Sequence, residues 1–231
     1  MYKGKSVLAI VQARGGSKGI KLKNLARVGG ESLIQWVGRF IKDCNKSKII
    51  DMAIVSTDHE DIAKAARAVE IQTPFVRPHQ LSGDYVSDIE VLTHALIEAE
   101  KATAQEFDIV VMLQPTCPFR RTQHLTDALE KLIKEDLESV VTVSEGDSKH
   151  HPLKQLKISR GMLTYLDQGG KDIIARQQLE PLFYRNGAVY VLTRECVLKR
   201  KETIGPNTGA LVCNEKLVNI DTPDDLLYAN F

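Results

Sequence analysis

The run "SVLAIVQARGGSKGIKLKN", residues 6–24, decides the fold class. Its first half is apolar without alternation, the pattern of a strand covered on both faces in a parallel sheet. Its second half gathers Arg14, Lys18, Lys21 and Lys23 with Gly15, Gly16 and Gly19 directly where that strand ends. Ligands of open α/β sheets bind beyond the carboxyl ends of the strands, and a glycine-rich turn there presents backbone N–H groups to an anion. Phosphate is the natural guest. The loop is neither of the two best-known phosphate cradles: its glycines do not follow GxGxxG, and it has no Gly-Lys pair followed by Ser or Thr. On composition alone, a solvated basic loop stays open as the alternative.

Outward from this stretch, apolar runs alternate with helical periodicity, the signature of a mostly parallel sheet flanked by helices. "SLIQWVGRFIKDC" (32–44) reads as a helix with Leu33, Ile34, Val37 and Ile41 on one face, and "IIDMAIVST" (49–57) as the second strand. A helix follows in "DHEDIAKAARAV" (58–69), with Asp58 expected as N-cap and acids in its first turn. "SDIEVLTHALIEAE" (87–100) opens with Ser87 and Glu90 at capping-box spacing and is expected to bury Ile89, Leu92, Leu96 and Ile97. "FDIVVMLQ" (107–114) is a strand, "TQHLTDALEKLI" (122–133) a helix, and "ESVVTVS" (138–144) a strand. The pattern breaks over about 146–183, where two alternating runs meet at Arg160-Gly161 and predict a hairpin standing away from the main sheet. The sheet resumes in "GAVYVLT" (187–193) and closes through "ALVCNEKLVNID" (210–221). Thr222 and Pro223 then start a last helix. The expectation is one domain over 1–231 carrying an inserted arm.

Bulk properties exclude several classes. Lys and Arg number 31 against 30 Asp and Glu, a net charge of +1, so no global field favours nucleic acid. Cys44, Cys117, Cys196 and Cys213 form no CxxC pair, and a chain of 231 residues needs no disulfide staples. The first apolar run, about six residues, is far short of a secretory core or of the roughly 20 residues of a membrane span. A soluble cytoplasmic protein without membrane or nucleic-acid partner is expected. His150-His151 lacks a third ligand at zinc spacing and reads as a solvated loop.

Six strings carry a resemblance: "ARGGSKGIKLKN", "STD", "FVRPHQLSGDYVSD", "LQPTCPFR", "RQQLEPLFYRNGAVY" and "NIDTPDDL", in order from residue 13 to residue 226. Together they resemble the CMP-N-acetylneuraminate (CMP-sialic acid) synthetase family of cytidylyltransferases. The resemblance implies a Rossmann-like nucleotidyltransferase fold and a homodimer built partly by the inserted arm. It also implies Mg²⁺- or Mn²⁺-dependent transfer of CMP from CTP to a nonulosonic acid, a 2-keto-3-deoxy sugar acid, with release of pyrophosphate. Attack of the anomeric hydroxyl on the α-phosphorus is a displacement in which positioning and neutralisation of charge do most of the work.

By the same resemblance, Arg14, Gly15, Lys18, Lys23, Asn24, Arg77 and Ser87 hold the nucleotide, with Arg14, Lys23 and Asp221 catalytic. Gln114, Arg176, Asn186 and Tyr190 contact the sugar, an arginine suiting its carboxylate. Asp221 and Asn219 are the metal ligands, with Asn219 standing where sialic acid members carry an aspartate. Lys21 replaces a common proline, and Cys117 the usual serine of its motif, as an inert packed thiol. Arg120 is open between a site residue and a surface charge at a helix start. Two alternatives accompany the reading: a 3-deoxy-manno-octulosonate cytidylyltransferase, against which "ARGGSKG" argues, and a nucleotide-binding regulatory homologue in which Asn219 has cost catalysis.

Overall fold

A computed structural model describes all 231 residues, Met1 to Phe231. In chain order the elements are β1 (Val7–Gln12), the short strands β2 (Arg27–Val28) and β3 (Glu31–Ser32), α1 (Leu33–Lys46), β4 (Met52–Ser56), α2 (Glu60–Arg67) and α3 (Asp88–Thr103). They continue with β5 (Ile109–Leu113), α4 (Thr122–Lys134), β6 (Ser139–Glu145), β7 (Leu156–Ser159), β8 (Met162–Tyr165), β9 (Phe183–Thr193), β10 (Thr208–Val212) and α5 (Pro223–Ala229). The main sheet has the order β10-β6-β9-β5-β1-β4. Strands β4, β1 and β5 run parallel, as do β6 and β10, while β9 is antiparallel to both its neighbours.

The unbroken apolar run of β1 is explained by its two covered faces. Val7, Ala9 and Val11 pack with Ile34, Val37 and Ile41 of α1 and Leu125 and Leu129 of α4. Leu8 and Ile10 pack on the opposite face with Leu92 and Leu96 of α3. All five are fully buried, each large aliphatic side chain contributing roughly 1.5–3 kcal/mol by leaving water. No helix is long and apolar enough to cross a membrane.

Helix starts follow the local chemistry with one correction. Ser32, Ser87 and Thr222 each close a capping box on α1, α3 and α5. Asp58 is not the cap of α2: His59 takes that place, its Nδ1 accepting the N–H of Asp61, because Asp58 is engaged with the first loop. On α3 the buried face is Val91, Leu92, Ala95, Leu96 and Ala99, whereas Ile97 is exposed and Ile89 only half-buried. Small Ala95 and Ala99 let the helix approach the sheet along a stripe that large-residue periodicity alone misplaced.

The hairpin of β7 and β8 forms its own two-stranded sheet. Its turn residues Arg160 and Gly161 both have positive φ, 50° and 78°, as a two-residue hairpin loop of matching twist requires. The arm rejoins the main sheet at β9, which carries an irregularity: Tyr190 pairs with Val141 of β6 but Arg185 pairs with Val143. Five steps along β9 thus correspond to two along β6, and Gly187 at φ 74° makes the bulge possible.

Candidate active site

A cleft of ≈ 560 Å³ opens beyond the carboxyl ends of β1 and β5. Its walls come from the first loop, the segment preceding α3, the turn after β5, β9 and the 219–221 segment. Arg14, Lys18, Lys23, Asn24, Arg77, Gln114, Tyr190, Asn219 and Asp221 all line it, so most of the expected site residues converge.

The first loop is held by hydrogen bonds to its own scaffold. The Gly15 N–H donates to Asp58 Oδ1 at 2.8 Å, and the buried Asn24 amide donates to the Arg14 carbonyl at 2.9 Å. Gly15 therefore anchors the loop and does not line the cleft. At Gly19 a Cβ would stand 2.5 Å from the Asp221 carbonyl oxygen, so only glycine lets loop and 219–221 segment touch. Lys23 Nζ lies 2.7 Å from Asp221 Oδ1. Arg14 and Lys18 both pair with Asp84, at 2.9 and 2.5 Å. Lys18, then Arg14, hold the Asp84 carboxyl below the usual carboxylate range.

Arg77 is buried, not a surface ion pair: its Nε donates to Ser56 Oγ at 3.0 Å, and Nη2 donates to the Ser56 carbonyl. Burial pulls its pKa down to about 10, so it stays charged at neutral pH. Ser87 is a correction. Its hydroxyl is consumed by the capping box with Glu90, and its neighbours Val86 and Asp88 line the cleft instead.

Gln114 leaves β5 and lies over Gly187, where a Cβ would come 2.9 Å from its Oε1. Arg120 braces this turn from inside. Its guanidinium donates to the carbonyls of Cys117, at 3.0 Å, and of Gln114, and it stacks on Phe40. It is a buried brace rather than a surface charge, and burial lowers its pKa. Cys117 is fully buried with its thiol pushed up by burial, as expected of an inert packing residue. Tyr190 is 2 % exposed, packs in the core beside α3 and reaches the cleft; burial raises its pKa to about 12.

Three more expected residues are engaged within the chain or lie outside this cleft. Asn186 is 1 % exposed and does not face the cleft: Nδ2 donates to Ser144 Oγ, and Oδ1 accepts from Thr142 Oγ1 and the Ala188 N–H, stitching the bulge. Arg176 lies in the arm and lines a second cleft of ≈ 390 Å³ with His150, His151 and Tyr184. Asn219 turns its NH₂ to Asp221 Oδ2 at 3.1 Å, while its Oδ1 is buried with no partner. Only Asp221 of that pair offers a solvent-facing oxygen.

Gln12, Asp84, Asp88 and Arg185 also line the cleft, although the sequence reading did not assign them. Asp84 sits inside the quoted "SGDYV" string, so a charge-pairing argument with the first loop could have found it. Burial raises the pKa of Asp88, with Arg185 and then Arg77 opposing.

The cytidylyltransferase family model matches residues 8–220. An N-acylneuraminate cytidylyltransferase of Streptococcus agalactiae is 31% identical over 96% of this chain, which spans 52% of that relative's length. A pseudaminic acid cytidylyltransferase of Campylobacter jejuni is 30% identical over 96% of this chain and 94% of its own. Among solved structures, a CMP:2-keto-3-deoxy-manno-octonic acid synthetase complexed with CTP superposes with a TM-score of 0.70 at 15% identity, covering 97% of each chain. That likeness carries the nucleotidyltransferase fold.

Proposed function

The chain belongs to the cytidylyltransferase family, and from that premise we propose that it transfers CMP from CTP to the anomeric hydroxyl of a nonulosonic acid, releasing pyrophosphate. The observation that carries the reading is the cationic wall: Arg14, Lys18 and Lys23 line one cleft with Asp221, and Gln114 and Tyr190 line the same cleft. Arg14 and Lys18 receive the triphosphate, exchanging Asp84 for phosphate oxygens. Lys23 neutralises charge near the α-phosphorus, and Arg77 and Asn24 complete the nucleotide side. Gln114, held by the brace of Arg120, meets the sugar. Catalysis is then positioning and electrostatics with no covalent intermediate.

Mg²⁺ fits this donor set. It takes oxygen ligands and manages with one or two carboxylates plus phosphate oxygens and waters, and Asp221 supplies an accessible carboxylate whose side chain is 61% exposed. When bound, the ion would neutralise phosphate charge and stabilise the leaving pyrophosphate. Asp221 would hold it, and the Asn219 amide orients that carboxylate through the 3.1 Å bond. The exposed apolar residues Leu156, Ile158, Met162 and Leu163 of the arm support its reading as the homodimer surface.

The test is pyrophosphate release from CTP with Mg²⁺, against N-acetylneuraminic, legionaminic, pseudaminic and 3-deoxy-manno-octulosonic acids. Turnover with a nonulosonate supports the reading and names the sugar. Turnover with the octulosonate alone moves the assignment to that branch, and CTP binding without turnover moves it to a regulatory homologue.

A further inference from the structure

Resting on that reading, we infer that Ser56, Thr57 and Asp58 form a positioning hub for the nucleotide, in which the Asp58 carboxylate holds the first loop in its anion-binding shape through the Gly15 N–H. Ser56 is the last residue of β4, and none of the three lines the cleft. The string "STD" thus acts on the substrate through other residues rather than by touching it.

Two parts of the cleft wall are fastened to this segment. From the first loop, the Ala13 N–H donates to the Ser56 carbonyl at 3.0 Å, and the Gly15 N–H donates to Asp58 Oδ1 at 2.8 Å. Arg14 is therefore clamped on both sides, and its own carbonyl accepts the Asn24 amide. From the segment before α3, the Arg77 main-chain N–H donates to the Thr57 carbonyl at 2.8 Å. The Arg77 guanidinium donates to the Ser56 hydroxyl at 3.0 Å and to the Ser56 carbonyl. Arg14 and Arg77 both line the cleft, so two cations from separate parts of the chain are set by the same short segment. Ser56 and Thr57 are buried at the end of a core strand, which gives both a rigid seat.

The Asp58 contact is the part of the hub that its sign of charge makes testable. A carboxylate behind a loop that receives a triphosphate repels the ligand through space, so electrostatics alone predicts that removing it tightens binding. A carboxylate accepting a backbone N–H also makes a strong, directional bond, and that bond fixes the peptide between Arg14 and Gly15. If the bond is what the residue is for, removing it loosens Arg14 and weakens binding. Close packing adds to the clamp: a Cβ at Gly15 would stand 2.9 Å from the His59 side chain, so the loop lies directly on the start of α2. Burial lowers the pKa of Arg77, and Asp58 is the first of the charges that oppose this, so the same carboxylate favours the charged form of the second cation.

The experiment is calorimetric titration of CTP in Mg²⁺ with wild type, Asp58→Ala, Asp58→Asn, Arg14→Gln and the Asp58→Ala/Arg14→Gln double variant. Ile62→Val, a buried change in α2 outside the cleft, is titrated beside them as a control for lost stability, and each protein is also melted. Asp58→Ala should weaken CTP binding about 10- to 100-fold although it removes a negative charge. Asp58→Asn, which keeps an oxygen for the Gly15 N–H, should stay within about threefold of wild type. In the double variant the loss should fall short of the product of the two single losses, because both act through Arg14. Unchanged or tighter binding in Asp58→Ala, an equal loss in Asp58→Asn, fully multiplicative losses, or an equal loss in Ile62→Val would each overturn the inference. A wild type that binds no CTP overturns the parent reading and this inference together. One that binds CTP and turns over no acid overturns the parent reading alone, since the hub is tested by binding.

Discussion

Lys23 and Asp221, 198 residues apart in the chain, form a 2.7 Å ion pair at the point where the first loop meets the segment before α5. The lysine is largely buried and the carboxylate largely exposed, with Oδ1 held by Lys23 and Oδ2 by the Asn219 amide. Asp221→Ala should lower kcat/KM on the order of 100-fold, the scale of removing one preorganised charge-stabilising group. Binding of CTP without metal should persist, because Lys23 loses only a competitor for phosphate. Titration of CTP in chelator, beside turnover in Mg²⁺, checks both halves.

Gly19 sits against the backbone of Asp221, with 2.5 Å between a built Cβ and that carbonyl oxygen. A backbone atom cannot swing aside as a side-chain tip can. Gly19→Ala should therefore move the loop away from Asp221, cost about 1–3 kcal/mol of stability and lower kcat more than tenfold. Denaturant melts and kinetics on the same preparation measure the two effects, and an unchanged kcat would show that the contact has no catalytic consequence.

Asp84 occupies both Arg14 and Lys18. Binding a triphosphate there must displace it, so Asp84→Asn should lower KM for CTP about two- to fivefold, the modest scale of solvent-exposed pairs. The gain should shrink as salt screens the freed cations. Initial rates at low and high ionic strength decide this, and a higher KM in the variant would mean that Asp84 orders the loop instead.

Asp88 titrates above the usual carboxylate range because it is partly buried. The folded protein then binds its proton more tightly than the unfolded chain does, so this group's stabilisation is present below the unfolded pKa and is lost as pH rises through the raised folded value. Asp88→Asn removes that loss. Its melting temperature should exceed wild type at pH 8 by more than at pH 4, and scanning calorimetry at both pH values measures the difference.

Much of this was legible in the chain. Strand β1, the capping box at Ser87, the helix start at Thr222 and Pro223, and the Arg160-Gly161 hairpin are local matters, set by apolar runs, cap chemistry and turn residues a few positions apart. So was the cationic loop, because Arg14, Lys18 and Lys23 follow a strand end directly and strand ends of such sheets face ligands.

Arg185, Asn186, Arg176 and Asn219 were decided only by tertiary structure. Their side chains point where a bulge, an inserted arm and a neighbouring carboxylate send them. Strand alternation predicts facing only while pairing stays regular, and the three-residue excess in β9 reverses it without leaving a periodic mark in the sequence. Residue types and their order determined that an α/β protein with a cationic loop at its strand ends forms. Which of its arginines and amides face the cleft depends on contacts between segments far apart in the chain, and those exist only once the sheet has assembled.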